Sequence, residues 1–301
     1  MNKRYKMSRK MLIFWTIFIG VGALAGSITM FIDPSGHSSK MDGLLPGMQV
    51  LPFAEILFKN LIFPGIALLI VNGIPNIIAG ILLLKNKKEG IILGLLQGII
   101  LMLWIVIQFI IYPLNFMSTI YFIFGLIQFI TGFLCFVGYM QSNFKFNLDD
   151  YQNIGTNKTK LVVFFSRTGY TKKIAYEIAN KIGSEILEIK TTEKIKGNLG
   201  FWWCGRFGMH HWPMELEENS IDFTKYDEVT ICTPIWVFNI CAPIRKFCEI
   251  SKGKIKKVNY IINHFMNCKL EYVAEEMDKL LDTKHNTFES YVCHFGEFKK
   301  I

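Results

Sequence analysis

The chain has 301 residues, of which 51% are hydrophobic and 19% are charged, and its formal net charge is +9 at pH 7. The positive excess forms no basic stripe and no arginine-rich arm, which disfavours nucleic-acid binding. Its seven cysteines include no C-x-x-C pair, so we expect no metal site, and their odd number suits a reducing compartment.

Four apolar runs in the first half are long enough to span a bilayer, which takes ~20 residues. The runs are Met11–Ile32, Leu61–Leu84, Ile91–Ile111 and Ile120–Met140. Lysines and arginines precede the first run, separate the second from the third and follow the fourth. The positive-inside rule therefore predicts a multi-pass protein of the cell membrane, with both termini in the cytoplasm and the lipid bilayer as a partner.

Polar amides interrupt these runs, and two of them, Asn72 and Asn76, share one helix face. The others are Gln97, Gln108 and Gln128. Such amides either hydrogen-bond between helices or line a pocket for a substrate or quinone. The central parts of the runs contain no His, Asp, Glu or Arg, which disfavours haem ligation and an acidic proton relay within the membrane.

The predicted organisation is a four-span membrane domain over 1–140, a polar linker over 141–159 and a second domain over 160–301. In the second domain, apolar strand patterns alternate with helical ones. The strands are predicted at Lys160–Phe165, Glu185–Lys190, Glu228–Thr233, Lys257–His264 and Thr287–Cys293, and the helices near Thr171–Ile182, Ala242–Ile250 and Lys269–Leu281. The fold class is thus an N-terminal α-helical transmembrane bundle followed by an α/β domain with a doubly wound parallel sheet.

Ligands of such sheets bind beyond the carboxyl ends of the strands, and the first strand ends in an unusual hydroxyl-rich turn. The turn is Ser166-Arg167-Thr168-Gly169-Tyr170-Thr171, with a helix pattern directly after it. Helix N–H groups and the positive end of the helix dipole favour an anion there, although one hydroxyl could equally serve as a helix cap. The spacing Ser-x-Thr-Gly-x-Thr resembles the phosphate-binding loop of the flavodoxin family.

Two further strand ends extend the resemblance to about residues 158–295. One is Thr233-Pro234-Ile235-Trp236, similar to the flavodoxin segment in which an aromatic residue covers the flavin ring. The other is His264-Phe265-Met266, at the position that contacts the opposite face. The resemblance implies non-covalently bound FMN and transfer of one or two electrons. Core packing of Trp236 and a structural role for His264 are the alternatives.

The segment 197–213 lies where a second helix of the domain is expected and is rich in aromatic residues. It is interpreted as a lid over the flavin, as an interfacial anchor or as a packed insertion. Cys204, His210 and His211 lack a fourth ligand for a metal site. No helix pattern follows the last predicted strand, so we expect apolar sheet surface there, covered by a partner, by the linker or by a second copy in a homo-oligomer.

These observations predict a membrane-anchored, cytoplasm-facing electron-transfer protein that binds FMN. The second domain contains no G-x-G-x-x-G sequence, so a separate redox partner protein or a nucleotide that docks at the flavin is expected to supply electrons. One alternative is an FMN-dependent oxidoreductase linked to membrane quinone. Another is a non-enzymatic membrane module whose flavodoxin fold holds no flavin.

Overall fold

The structure is a computed structural model that describes residues 3–218 and 221–301. Met1 and Asn2, with which the predicted first domain begins, lie outside the described residues. The chain divides into two compact units, a helical unit that ends at Asn143 and an α/β unit that begins at Phe144.

The helical unit consists of four long helices with two short ones in the first connection. The helices are α1 (Lys3–Ile32), α2 (Leu44–Met48), α3 (Ala54–Leu57), α4 (Ile62–Leu68), α5 (Ile74–Leu84), α6 (Lys88–Ile111) and α7 (Phe116–Asn143). A π-helical turn at Leu69–Gly73 joins α4 to α5 in one continuous helix. Among the described residues, α1, α4–α5, α6 and α7 are long and apolar enough to cross a membrane, and each coincides with most or all of one predicted run.

Polar amides and glycines hold the long helices together. The Asn76 amide donates to Gln97 Oε1 at 3.2 Å, and Gln128 donates to Asn76 Oδ1 at 2.8 Å. At Gly98 of α6, a Cβ atom would come within 2.5 Å of the backbone nitrogen of Phe129 on α7, so these two helices pack backbone to backbone. For these three amides the interhelical hydrogen-bond interpretation is correct.

The α/β unit contains a mixed sheet, mostly parallel, with helices on both faces. Its elements are β1 (Asn157–Phe164), α8 (Tyr170–Ile182), β2 (Ser184–Glu188), α9 (Gly197–Met209), β3 (Glu228–Trp236), β4 (Asn239–Ile240), α10 (Ala242–Ile250), β5 (Val258–His264), α11 (Glu271–Leu281), β6 (Thr287–His294) and β7 (Glu297–Lys300). The strand order is β2-β1-β3-β5-β6-β7. The five predicted strands are parallel neighbours, while β4 pairs antiparallel with β3, and β7 with β6.

The two added strands form hairpins whose turns have left-handed backbone conformations. The φ angles are 48° and 66° at Val237 and Phe238, and 56° and 101° at Phe295 and Gly296. Positive φ at both central residues gives a two-residue turn whose twist matches that of antiparallel strands. Neither turn has the Asn-Gly or Asp-Gly sequence typical of such turns. The sequence analysis therefore missed β4 and β7 and predicted a wholly parallel sheet.

The interior strand β1 separates two cores. Leu161 and Val163 belong to the cluster that includes α10 and α11, whereas Val162 and Phe164 pack with α8. All four side chains are at most 3% exposed. Since both faces of the strand are covered, these four successive residues are all apolar, and the sequence of β1 shows a continuous apolar run instead of an alternation of apolar and polar residues.

Beyond α8 the sheet face carries both polar and apolar side chains. On that face Glu289 accepts a hydrogen bond from the Tyr291 hydroxyl at 2.8 Å and pairs with Lys300 at 2.6 Å. The segment after Asn143 also packs within this unit, where the ring of Phe146 lies edge-on to Tyr176 of α8. Phe298 of β7 also packs with the α8 core, as does Ile154 of the predicted linker, so the linker, one of the three expected covers, contributes to this core.

Candidate functional site

The candidate site lies at the carboxyl ends of the parallel strands, where the strand order reverses. From β1 the chain passes to β2 on one side, and from β2 it returns to β3 on the other side of β1. The divergence leaves a crevice at this point, the usual ligand position in open α/β sheets. A cavity of about 210 Å³ lies there, lined by residues that follow or end β1, β3, β5 and β6.

The loop between β1 and α8 presents hydroxyl and backbone N–H groups at a helix start. Gly169 has a φ of +95°, a conformation that favours glycine, and its N–H donates to Ser166 Oγ at 3.1 Å. Thr168 between them is exposed. The first turn of α8 contains no acidic residue, so the positive end of the helix dipole is not neutralised there. This arrangement suits an anion.

Three buried polar atoms of residues in the cavity wall lack a hydrogen-bond partner among the described residues, namely Asn263 Oδ1, the Tyr170 hydroxyl and His264 Nδ1. Asn263 donates to Thr171 Oγ1 at 3.2 Å, but its buried Oδ1 and the buried hydroxyl of Tyr170 receive no partner from the described residues. Burial raises the pKa of Tyr170 to about 12, so its phenol stays protonated and able to donate. Because unpartnered buried polar groups are costly, this wall is suited to a polar ligand.

Arg167 lines the cavity and anchors the segment that leads into α9. Its Nε donates to the Ile195 carbonyl at 2.9 Å and its NH2 group to that of Gly197 at 2.8 Å. The guanidinium also lies over the ring of Phe201, 5.5 Å from its centroid. Arg167, which was predicted as part of the phosphate-binding loop, thus holds the start of α9 at the rim of the cavity.

The end of β3 supplies one wall through Pro234, Ile235 and Trp236. Thr233 is fully buried, and its hydroxyl donates to the Pro234 carbonyl at 2.9 Å, so it shapes the strand end from below. The ring of Trp236 stands edge-on to Phe165 at 5.5 Å between centroids. Trp236 is half-buried and remains at the cavity surface.

The end of β5 contributes His264 and Phe265 to the cavity. His264 is 8% exposed, and its Nε2 lies 2.7 Å from Ser290 Oγ, which favours the structural role for that nitrogen. Burial lowers the pKa of His264, with a smaller opposing effect of the Met266 backbone, so the imidazole is neutral at pH 7. Phe265 and Met266 are exposed at the rim.

Burial of His264 predicts a pH dependence of stability. Below pH 6.5 the unfolded chain binds a proton on this histidine that the folded chain resists, so the free energy of unfolding falls as the pH drops. We expect the thermal midpoint of the α/β unit to fall more steeply between pH 7 and 5 in the wild type than in His264→Gln. Parallel pH profiles of the two proteins would contradict this assignment.

The aromatic segment after β2 forms α9 and packs against the site. A Cβ atom at Gly208 would lie 2.7 Å from the Trp236 carbonyl oxygen, and Asn239 donates to the Gly208 carbonyl at 3.0 Å. Glycine at 208 therefore allows α9 to approach β3 closely. The helix and its C-terminal flank also leave several large apolar side chains exposed, namely Leu199, Phe201, Trp202, Trp203, Met209 and Trp212.

The cysteine and histidines of this segment lie apart from one another. Cys204 is buried, which raises the pKa of its thiol to about 11. His210 stacks on Trp212, and His211 pairs with Glu276 at 3.1 Å. Within residues 3–218 and 221–301, no three His, Cys, Asp or Glu side chains come together as a metal site would require.

The structure adds residues to the site that the sequence analysis did not predict. They belong to the β6–β7 hairpin and to the segment after Asn143. Cys293 and Phe295 line the cavity. The ring of Phe144 stands edge-on to Tyr170 at 4.8 Å between centroids, and a Cβ atom at Gly169 would lie 3.3 Å from this ring. The pair Phe295-Gly296 was the available sequence signal for a turn, and nothing in the sequence placed Phe144 beside the loop.

Comparisons with known proteins give matches among solved structures. No protein-family model matches the chain, and no curated protein matches it. A flavoprotein from Lactobacillus acidophilus NCFM, solved in complex with FMN, is 20% identical, with 44% of this chain and 93% of that chain covered and a TM-score of 0.40. A putative flavoprotein from Bacteroides eggerthii DSM 20697 is 21% identical, with 44% and 88% covered and the same TM-score.

Proposed function

We propose that the chain is a membrane-anchored, flavodoxin-like electron-transfer protein that binds FMN on the cytoplasmic side. The observation that carries this proposal is the meeting of the Ser166–Thr171 loop and Trp236 at one cavity. The order of the five parallel strands is that of flavodoxin-like folds, whose ligand lies between the first and third strands.

The residues of the cavity fit the parts of FMN. The hydroxyl-rich loop at the start of α8 suits a phosphate dianion. The Asn263 Oδ1 acceptor and the Tyr170 hydroxyl donor suit the polar edge and ribityl hydroxyls of a flavin. Trp236 offers an aromatic surface for the ring.

Bound FMN would supply the electron-transfer chemistry, and the residues of the cavity would hold it. The neutral His264 and the protonated Tyr170 add no charge to the cavity. Phe265 lines the cavity and is exposed, as is its neighbour Met266, and this apolar surface suits transient docking of a redox partner protein. The cavity of about 210 Å³ is too small to enclose a flavin together with a second substrate. Its size therefore favours electron transfer to a docked protein over reaction with a substrate bound beside the flavin.

Membrane insertion and sidedness rest on the helical unit and its flanking charges. The four long apolar helices suit a bilayer, and basic residues flank the ends that we assign to the cytoplasm. A C-terminal epitope is expected to resist protease added to intact cells and to become sensitive after the cells are opened. Sensitivity in intact cells would contradict the cytoplasmic assignment.

The first test is the absorption spectrum of the full-length protein purified in detergent. We expect flavin bands, with FMN released at one equivalent per chain on denaturation. No flavin, even after incubation with excess FMN, would overturn the proposal and favour a flavin-free membrane module. For the holoprotein, reoxidation of the reduced flavin by quinone but not by soluble electron carriers would favour the quinone-linked oxidoreductase.

A further inference from the structure

The helical unit contains a second, larger cavity of about 650 Å³. It lies between α1, α4, α6 and α7, and the connections after α1 and α6 form its mouth. Its wall is mainly apolar and aromatic, and includes Ala23, Leu68, Asn72, Trp104, Gln108 and Tyr121. Cavities of this size and character bind small organic molecules.

Asn72 is the polar side chain that distinguishes this cavity from a packing void. Its side chain is 1% exposed, and neither Oδ1 nor Nδ2 has a hydrogen-bond partner among the described residues. Each such buried group costs roughly 1–3 kcal/mol if it stays unsatisfied. A ligand acceptor would satisfy the Nδ2 donor and a ligand donor would satisfy the Oδ1 acceptor, so either would remove part of that cost.

Asn76, one turn further along, shows that the position of Asn72 is special. Its amide donates to Gln97 Oε1 at 3.2 Å and to the Asn72 carbonyl at 2.8 Å, and its Oδ1 accepts from Gln128. The two asparagines therefore have the same chemistry in the same helix, but protein groups satisfy one and leave the other, in the wall of the cavity, without a partner among the described residues.

The local backbone also sets Asn72 apart. It lies in the π-helical turn Leu69–Gly73, and such turns occur frequently at functional sites. Across the cavity α1 contributes Gly22, where a Cβ atom would meet nothing within 4 Å. Asn72 of the widened turn and Gly22 of α1 thus both belong to the lining of the cavity.

The surroundings of Asn72 define the charge of a ligand. Asn72 lies near the middle of the 23-residue helix Ile62–Leu84, a depth at which an ionised group is costly. Among the described residues that line the cavity, Lys40 carries the one permanent charge, and it is exposed in the connection after α1. The aromatic walls at Trp104 and Tyr121 suit a flat ring. The ligand is therefore uncharged, ring-shaped and able to accept or donate a hydrogen bond.

We propose that this cavity binds a membrane quinone or its quinol, with the carbonyl or hydroxyl of the ring at Asn72. The proposal rests on insertion of the helical unit in a membrane and is independent of FMN. It concerns binding and assigns no redox step to this site.

The test compares two ring compounds of nearly the same shape on the full-length protein in nanodiscs. The probes are 2,3-dimethyl-1,4-naphthoquinone and 2,3-dimethylnaphthalene, with empty nanodiscs to correct for partition into lipid. We expect saturable binding of the quinone at one site, and binding of the hydrocarbon at least about tenfold weaker, the equivalent of one hydrogen bond. Equal affinity for the two probes, or no saturable quinone binding, would overturn the proposal.

Matched variants of the two asparagines complete the test. Asn72→Leu is expected to weaken quinone binding about tenfold, while the thermal stability of the ligand-free protein stays equal or rises because an unsatisfied amide is removed. Asn76→Leu is expected to lower that stability, since Gln97 and Gln128 lose their partner. Destabilisation by Asn72→Leu without ligand would assign Asn72 to the fold and overturn the proposal. Quinone binding without FMN binding would leave this inference intact and refute only the flavin proposal.

Discussion

Replacement of Thr168 by aspartate is expected to weaken FMN binding on the order of 100-fold. Thr168 is exposed in the loop before α8, so the substitution leaves the core untouched. Two unit charges ~4 Å apart near a protein surface interact by about 4 kcal/mol, and solvent screening reduces but does not abolish the repulsion between the new carboxylate and the phosphate. The measurement is a fluorescence titration of the flavin-free protein with FMN.

Riboflavin and a matched variant serve as controls for the Thr168→Asp experiment. Riboflavin lacks the phosphate, so its affinity should be nearly the same in the variant and the wild type. Thr159→Asp makes the same change at an exposed position near the start of β1, at the other end of the sheet, and should leave FMN affinity unchanged. An equal loss of riboflavin and FMN affinity in Thr168→Asp would mean that the variant distorts the site, and unchanged FMN affinity would place the phosphate elsewhere.

Glu276→Ala is expected to lower the free energy of unfolding of the α/β unit by about 3 kcal/mol, the cost of leaving a buried charge without its partner. Arg245 of α10 is 5% exposed, and its guanidinium pairs with Glu276 of α11 at 2.6 Å. The same guanidinium also lies 3.0 Å from Nδ1 of His211. Urea unfolding of the full-length protein, followed by tryptophan fluorescence, measures the effect, since four of the six tryptophans belong to this unit.

Two further variants separate the buried charge from other effects of the Glu276 substitution. Glu275→Ala removes an exposed carboxylate next to it on α11 and should change stability by less than about 0.5 kcal/mol. The double variant Arg245→Met with Glu276→Leu removes both charges and should recover most of the lost stability. If the double variant were as unstable as Glu276→Ala, packing rather than the unpaired arginine would be responsible.

The elements of the α/β unit were largely predictable because local pattern determines them. The apolar run of β1 and the amphipathic pattern of α8 specify a strand and a helix, and the hydroxyl-rich turn between them specifies where one ends and the other begins. The hairpin strands β4 and β7 escaped prediction. Their turns place Val237, Phe238 and Phe295 at positive φ, which tertiary packing imposes against the preference of these residue types.

The site was predictable as a set of strand ends but not as a set of contacts. Arg167 was assigned to the loop from its position in the sequence, yet its guanidinium holds the start of α9. Phe144 precedes Tyr170 by 26 positions and still packs on its ring. Long-range contacts of this kind depend on how the elements pack, and no local pattern encodes them.

The amino-acid sequence by itself determined the four long apolar helices, the alternation of strands and helices and the hydroxyl-rich turn, because each depends on residues close together in the chain. Only the tertiary structure decided which polar groups find partners. Asn72 and Asn76 have the same side chain in the same helix, but neighbouring helices place Gln97 and Gln128 beside Asn76 and a cavity beside Asn72. Hydrogen bonding of a buried group depends on the distance to atoms of other elements, and the folded arrangement alone sets that distance.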